Sequence, residues 1–543
     1  MSEYYTFDCG CKFPLDKHDG ESIPRINFSP YIDNIDLACN RTWELIGSGN
    51  TKGCFQLESR LGQSMAKKLK PNNIEQLSAL IAILRPGCLE ALRDGKSVSN
   101  HYIDKKNGSE SIDYFHPSLE HILKETYGEM IYQEQAMQIS QEIAGFDLQE
   151  ADVLRKAIGK KKPEEMAKLK TKFIEGCKTK KIVTESEAEE IFGWIEKSQR
   201  YSFNKSHSVS YAINAYLSAF AKAHFPRIFF ASYLRYAKDK VDPKQEIKEL
   251  VKNANQMNID IRVPDFRDMS KLFYLKNKVI YFGLTNIKGL GDSVYEKITA
   301  LCHGKDLGSM SWAYILLQVL PNINSLAAKN MISSGAFDYL KINRTEMILQ
   351  YELISRLTQK EIDFLISSVD GSKNLSLNKS VLQLLQKPKL TQKRKEVINN
   401  ILETLDHPPY SLIDKIEWLS DTEETLLGTA ISCSKLDSYD MAMTNTDCKD
   451  FHNNKGLTKN IIIAGEIDNI HIVKTKKGKN PGQEMAFISI SDQYGSIDSI
   501  IFFPEKYLEY KHHLFVNNIL IFIGSKNKEM DGLIVEKCFM PSS

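Results

Sequence analysis

Hydrophobic positions fall along this chain in two different patterns. From Gln149 to Ile158 the apolar residues Val153, Leu154, Ala157 and Ile158 fall on one helical stripe, which predicts an amphipathic helix closed by Gly159 as a left-handed cap. Pro163 suits the first position of a following helix, with Glu164 and Glu165 in the first turn where the helix dipole favours acids. Met166, Leu169, Phe173 and Cys177 recur every three or four residues and give that helix a buried face. Val209, Ile213, Tyr216, Leu217 and Phe220 predict a further helix ending before Pro226, with Ser206 or Ser208 as its N-cap.

Towards the C-terminus the pattern changes. Ile461–Val473, Met485–Ser491, Ile497–Phe503, Asn518–Ile523 and Leu533–Cys538 are rich in Ile, Val and Phe and read as five strands, with a short helix over Glu505–His512 between the third and fourth. Five strands with one helix at that place suggest an OB-fold, a common binder of single-stranded nucleic acid. The region before Gly283 reads as largely helical. The fold class expected is therefore multidomain and mainly α, with a C-terminal five-stranded β-barrel. Pro264-Asp265, the basic stretch Lys387–Lys395, His407-Pro408-Pro409 and the polar segment Ser438–Lys459 mark the junctions.

The composition adds scale and a puzzle. The 543 residues supply material for several domains, and 71 Lys plus Arg against 69 Asp plus Glu leave a net charge of only +2. That total gives no hint of a polyanionic partner. Between Arg155 and Lys181, however, eleven basic residues face three acids, a local net charge of +8. Arg155, Lys156, Lys160, Lys161 and Lys162 cluster at a predicted helix–helix corner, where several cations can face one polyphosphate. A solvated helix face is the commoner fate of such a run.

Two further clusters concern phosphate. Asn204, Lys205 and His207 precede the predicted helix at Val209, and a helix N-terminus suits anions. Capping alone accounts for such a cluster about as well. In Ile287-Lys288-Gly289-Leu290-Gly291 the glycines suit a helix-hairpin-helix, in which backbone N–H groups approach a DNA phosphate. A basic loop, Lys474, Lys476, Lys477 and Lys479, joins the first two barrel strands and is a candidate DNA contact. Cys9, Cys11 and, further on, Cys39 form a weak cluster; ordinary thiols are the commoner reading of a C-x-C pair, and no metal ligands are assigned. No run of about 18 apolar residues occurs, so no membrane helix is expected. The start lacks a signal-peptide pattern, and the ten scattered cysteines fit reduced thiols, so a cytoplasmic protein is expected.

Several ordered motifs carry a family resemblance. Gly53-Cys54-Phe55-Gln56-Leu57-Glu58-Ser59, Leu84-Arg85-Pro86-Gly87, Tyr127-Gly128 through Tyr132-Gln133-Glu134-Gln135, Leu154 to Met166, and Phe203-Asn204-Lys205-Ser206-His207-Ser208 resemble segments of the C-family bacterial replicative DNA polymerases, the polymerase III alpha subunits. Trp418 through Gly428 is similar to the segment ahead of that family's OB-fold, and the resemblance runs from about Asp36 to Lys537. It implies a fingers region over 53–262 after an N-terminal segment, 1–52, at the palm–fingers junction. A helix-hairpin-helix region over 263–340, a clamp-binding-like region and linker over 341–457, and an OB-fold over 458–543 would follow. Arg155, Lys156, Lys160, Lys161, Lys162, Asn204, Lys205 and His207 would face the triphosphate or the primer–template backbone. Lys288, Gly289, Gly291 and the barrel lysines would face DNA.

The departures are equally informative. The family's palm carries P-D-x-D-x-D-F, whose carboxylates hold two magnesium ions for nucleotidyl transfer, and no such motif occurs here. The chain is thus expected to begin just after the palm and to be one half of a split polymerase of phage type in a bacterial host cytoplasm. A palm-bearing partner chain would supply the carboxylates and Mg2+, with dNTPs and primer–template DNA as substrates and a sliding clamp as a further partner. No catalytic residue is assigned within the chain. The alternative is a non-catalytic DNA-binding or clamp-associated replication protein derived from polymerase parts.

Overall fold

The computed structural model describes residues 4–16, 25–26, 29, 32–160, 163–198, 202–368, 377–387, 390–453, 456–475, 481–527 and 532–542. They divide into two compact units, Met1–Pro226 and Arg227–Ser543. Among the described residues no helix is long and apolar enough to cross a membrane.

The first unit opens with the antiparallel hairpin of β1 (Tyr4–Thr6) and β2 (Lys12–Asp16). It continues through α1 (Asn40–Gly47), α2 (Ile74–Ile83), α3 (Gln133–Ala144), α4 (Leu148–Lys160), α5 (Pro163–Lys180), α6 (Glu185–Ser198) and α7 (Lys205–His224), among other elements. Residues Leu77–Ile83 of α2 are buried without interruption, as in a helix surrounded by protein on every side. α7 packs against α2, and Ser208 Oγ donates to the Ser78 carbonyl at 2.6 Å. A second core of Ile139, Ile143, Leu154, Phe173, Phe192 and Ile195 joins α3 to α6.

Three sequence expectations shift here. α4 does not stop at Gly159 but runs through Lys160. The N-cap of α7 is Asn204, whose side chain accepts from the His207 N–H at 2.8 Å, and not Ser206 or Ser208. An Asn at the cap satisfies that donor one turn earlier, leaving Ser208 free to bond α2. The buried face of α7 is Ala212, Ala215, Tyr216, Ala219 and Phe220, whereas Val209, Ile213 and Leu217 are only half-buried. Small alanines let α7 approach the α2 backbone closely, and the larger aliphatic residues are displaced to the flank. Pro163 opens α5 as expected, and Phe173 and Cys177 lie in the core.

The second unit contains α8 (Asp292–Cys302) and α9 (Ser325–Ser333) around a core that includes Phe266, Phe282, Ile298, Trp312 and Phe337. Its C-terminal barrel comprises β3 (Ile461–Lys474), β4 (Glu484–Ser491), β5 (Ser496–Phe502), β6 (Ile519–Asn527) and β7 (Gly532–Phe539). The closed order is β4-β5-β7-β6-β3, with β5 parallel to β7 and the other pairs antiparallel. A helix over Pro504–Tyr510 joins β5 to β6. This is the OB-fold that the strand pattern predicts. β6 outlasts its predicted end because a register shift at Ile523–Gly524 lets pairing with β7 continue to Asn527. A Cβ on Gly524 would lie 1.9 Å from the Ile534 carbonyl oxygen, so only glycine fits that crossing.

Candidate nucleotide-binding site

Five separated segments of the first unit meet around the N-terminus of α7. Phe203 forms a parallel bridge with Tyr132: its N–H donates to the Ile131 carbonyl at 2.9 Å, and its carbonyl accepts from the Gln133 N–H at 3.0 Å. That bridge sets Glu134 at the start of α3 against the start of α7. The Glu134 carboxylate accepts from the Asn204 side-chain amide at 2.8 Å and from the Lys205 backbone N–H at 2.9 Å. The anion position at this helix N-terminus is therefore filled by a protein carboxylate, as dipole and unpaired N–H groups favour. The Lys205 ammonium pairs with Glu125 at 2.6 Å and lies 5.7 Å from the centre of the Tyr132 ring. Asn204 and Lys205, expected to face phosphate, here fasten the start of α3 to α7.

What faces outward is aromatic and cationic. The exposed Arg85 guanidinium sits 3.7 Å from the centre of the Phe203 ring. The His207 ring lies between Phe203 and Tyr211, with centroids 5.3 and 4.1 Å away, and Tyr211 meets Phe55 at 5.0 Å. The Phe55 N–H donates to Ser218 Oγ of α7 at 3.0 Å, and Gln56 beside it has a left-handed φ of 61°. The result is a cation and four rings drawn from three segments. Beneath it, Tyr132 is buried with its phenol 3.0 Å from Ser78 Oγ, and burial raises its pKa well above the ordinary phenol value.

Arg155 of α4 contacts Gln133, the residue whose N–H pairs with Phe203. Its Nη1 donates to Gln133 Oε1 at 3.4 Å, while Asp152 one turn earlier holds its Nε at 2.9 Å. Asp152 also pairs with Lys156 at 2.6 Å, and the bonds from Lys156 and then Arg155 lower the Asp152 pKa. Lys172 pairs with Glu150, and Lys178 with Glu185 at 2.7 Å. The +8 of the segment is thus partly balanced by acids just outside it, which the segment's own count omits. The expected sites Lys161 and Lys162, and the side chain of Lys160, lie outside the described residues. His207 joins the rings and Arg155 is held on the neighbouring Gln133, whereas Lys156 is turned to Asp152. Arg85, Phe55 and Glu134, which the structure adds to this group, lie within the quoted motifs; Tyr211 lies beyond them and is placed only by the fold.

In the second unit Lys288 and Gly289 are exposed ahead of α8. Gly289 has φ +84° and its neighbourhood is tight: a Cβ would lie 3.1 Å from Asn330 Nδ2, which donates to the Lys288 carbonyl at 2.6 Å. Gly291 is the N-cap of α8 and has open space before it. Lys474 is exposed at the end of β3, whereas Lys476, Lys477 and Lys479 lie outside the described residues. Among the described residues no group of three carboxylates converges as a magnesium pair requires; the group able to share one ion consists of cysteines and a histidine. The described residues do not fit the catalytic magnesium site.

A helical unit, then α8 and α9, then an OB-fold barrel define the class: a multidomain, mainly α protein ending in a closed β-barrel. Residues 21–181 match the bacterial DNA polymerase III alpha subunit finger domain, and residues 258–347 match the helix-hairpin-helix motif. DNA polymerase III subunit alpha of Aquifex aeolicus (strain VF5) is 32% identical over 509 residues, covering 92% of this chain and 39% of that protein. The same subunit from Borreliella burgdorferi is 30% identical, covering 96% of this chain and 43% of its own length. That of Pseudomonas aeruginosa is 31% identical, with 87% and 39% covered. The family is that of the C-family polymerase III alpha subunits, and this chain corresponds to its fingers-to-OB-fold portion. It spans about two fifths of the length of the relatives it matches.

Proposed function

We propose that this chain is the part of a replicative DNA polymerase that grips the incoming dNTP and the primer–template, while palm carboxylates and their Mg2+ are supplied by a partner chain. The observation that carries this reading is the grouping of Arg85 and His207 with the Phe55, Phe203 and Tyr211 rings, with Arg155 held on the neighbouring Gln133. A nucleoside triphosphate needs both halves of that surface: rings on which a base stacks, and guanidinium groups that neutralise phosphate as charge moves towards pyrophosphate. Arg155 is held through Nε and Nη2 by Asp152 and through Nη1 by Gln133, so its guanidinium is positioned before substrate arrives. The glycines at 289 and 291 serve duplex phosphates, and the barrel serves the single-stranded template. Carboxylates from outside these residues complete the reaction, since the palm motif is absent from all 543.

The test is primer extension with the chain alone and then with a palm-bearing partner, repeated for Arg85→Ala, Arg155→Ala and His207→Ala. Extension only in the mixture, lost in the variants while duplex binding persists, supports the reading. Robust extension by the single chain would overturn the partner. Salt-sensitive DNA binding with no nucleotide dependence, and full activity of the variants in the mixture, would favour the non-catalytic DNA-binding alternative.

A further inference from the structure

The hairpin at the N-terminus brings two cysteines to the far end of α7. The Phe7 N–H donates to the Cys11 carbonyl at 2.9 Å, the Gly10 N–H to the Phe7 carbonyl at 2.8 Å, and Gly10 takes φ +89°. This tight turn sets the thiols of Cys9 and Cys11 side by side. Cys39 stands immediately before α1 as its N-cap residue, and His224 is the last residue of α7. The Sγ atoms of Cys9, Cys11 and Cys39 and a ring nitrogen of His224 all lie within 4.8 Å of one another. His224 Nε2 is 3.2 Å from Cys9 Sγ and 3.7 Å from Cys39 Sγ, although the chain separations are 215 and 185 residues.

The other ring nitrogen fixes the tautomer. His224 Nδ1 lies 3.0 Å from the Phe220 carbonyl, which only accepts, so Nδ1 carries the hydrogen and the lone pair of Nε2 faces the sulfurs. Metal-bound imidazoles are oriented in this way, through a hydrogen bond from the second nitrogen. A set of thiol hydrogen bonds is the rival account, but one lone pair accepts one S–H and leaves two of three sulfurs without that partner. Cys11, Cys39 and His224 are also buried. Phe220 stacks on the imidazole at 4.0 Å, with Phe7 edge-on at 4.9 Å. An apolar shell of this kind keeps water from the group.

We infer that Cys9, Cys11, Cys39 and His224 form a closed, structural zinc site. In a tetrahedral Cys3His site with Zn–S of about 2.3 Å and Zn–N of about 2.0 Å, the S···N edges are about 3.5 Å. The separations of 3.2 and 3.7 Å bracket that edge. Three thiolates and one imidazole are the donors zinc prefers over magnesium or calcium, and four protein ligands leave no open position for catalysis. The ion would join the N-terminal hairpin, the start of α1 and the end of α7. It would thereby fix the end of α7 opposite to the one carrying Asn204 and His207, a role that stands whether or not the polymerase reading does.

The experiment is metal analysis of the full chain purified without chelator and reconstituted with Zn2+ under reducing conditions. One zinc per chain is expected, together with a thiolate-to-metal charge-transfer band and a tetrahedral d–d spectrum when Co2+ replaces it. Cys39→Ser and His224→Ala should lose the ion, and Cys433→Ser, in the other unit, should keep it. Should either ligand variant fail to fold, the wild-type cobalt spectrum and protection of three thiols from alkylation, lifted by chelator, decide the question. Absence of bound metal from the reconstituted wild-type chain, or an octahedral oxygen-ligand spectrum, would overturn the assignment.

Discussion

Glu134 and Lys205 are 71 residues apart, yet the carboxylate of the first accepts the backbone N–H of the second at 2.9 Å. The same carboxylate holds the Asn204 amide, so one acid orients the cap of α7 and the residues that follow it. Glu134→Ala removes both acceptors and is expected to cost about 1–2 kcal/mol, in the range of a lost cap. Glu134→Gln keeps one acceptor oxygen and should cost less. Urea unfolding of the three proteins checks the order. An equal loss for both variants would mean that charge, and not hydrogen bonding, holds the junction.

Gly289 and Gly291 make separable predictions. Gly289→Ala puts a side chain at φ +84° beside Asn330 and is expected to destabilise the second unit by about 1 kcal/mol. Gly291→Ala meets open space at a negative φ, so its stability should hardly change. If duplex phosphates approach here, Gly291→Ala still weakens duplex binding, because a methyl group obstructs the N–H groups. Thermal unfolding and a DNA titration at fixed salt read the two effects apart.

Arg344 and Glu423 form a buried pair in the second unit, with Nη1 2.8 Å from Oε1. Arg344 also holds Asp338 at 2.6 Å, and Glu423 accepts the Ile431 and Ser432 N–H groups at 2.6 and 2.8 Å. Glu423→Ala leaves a buried guanidinium short of a partner and two N–H groups unpaired. A loss of about 3–5 kcal/mol is expected, measured by denaturant unfolding of the full chain. Arg344→Lys should also destabilise, since an ammonium cannot span both carboxylates as the planar fork does.

Glu110 gives the acid dependence a site. Burial raises its pKa, but the bonds from Lys96 and His101, at 2.7 Å each, outweigh it and bring the carboxyl from 4.5 to about 2. Because the folded value lies below the unfolded one, the stabilisation is present above pH 4.5 and fades as the pH falls towards 2. The stability difference between wild type and Glu110→Gln should be constant above that window and shrink within it. Unfolding midpoints measured across the window test the sign.

Much of this was legible from residue order. The strands of the barrel follow from their enrichment in Ile, Val and Phe, residues that suit a packed pleated surface. The start of α5 follows from Pro163, and the motifs around Phe55, Arg85, Tyr132, Arg155 and Phe203 stand out as strings. Local propensity could not tell that Asn204, and not a serine, caps α7. That choice depends on Glu134, which reaches the cap only because Phe203 bridges to Tyr132. Charge counting likewise could not see that Glu150, Asp152 and Glu185 balance part of the basic segment.

The sequence by itself determined the elements, the family and the absence of the palm motif, since each is encoded within short runs of neighbouring residues. Only the tertiary structure decided which of those residues meet. Packing of α7 on α2 carries His207 to Tyr211 and Phe55 at one end and His224 to three cysteines at the other. Both groupings depend on contacts spanning well over a hundred residues, and no pattern of spacing reports a distance that folding alone creates.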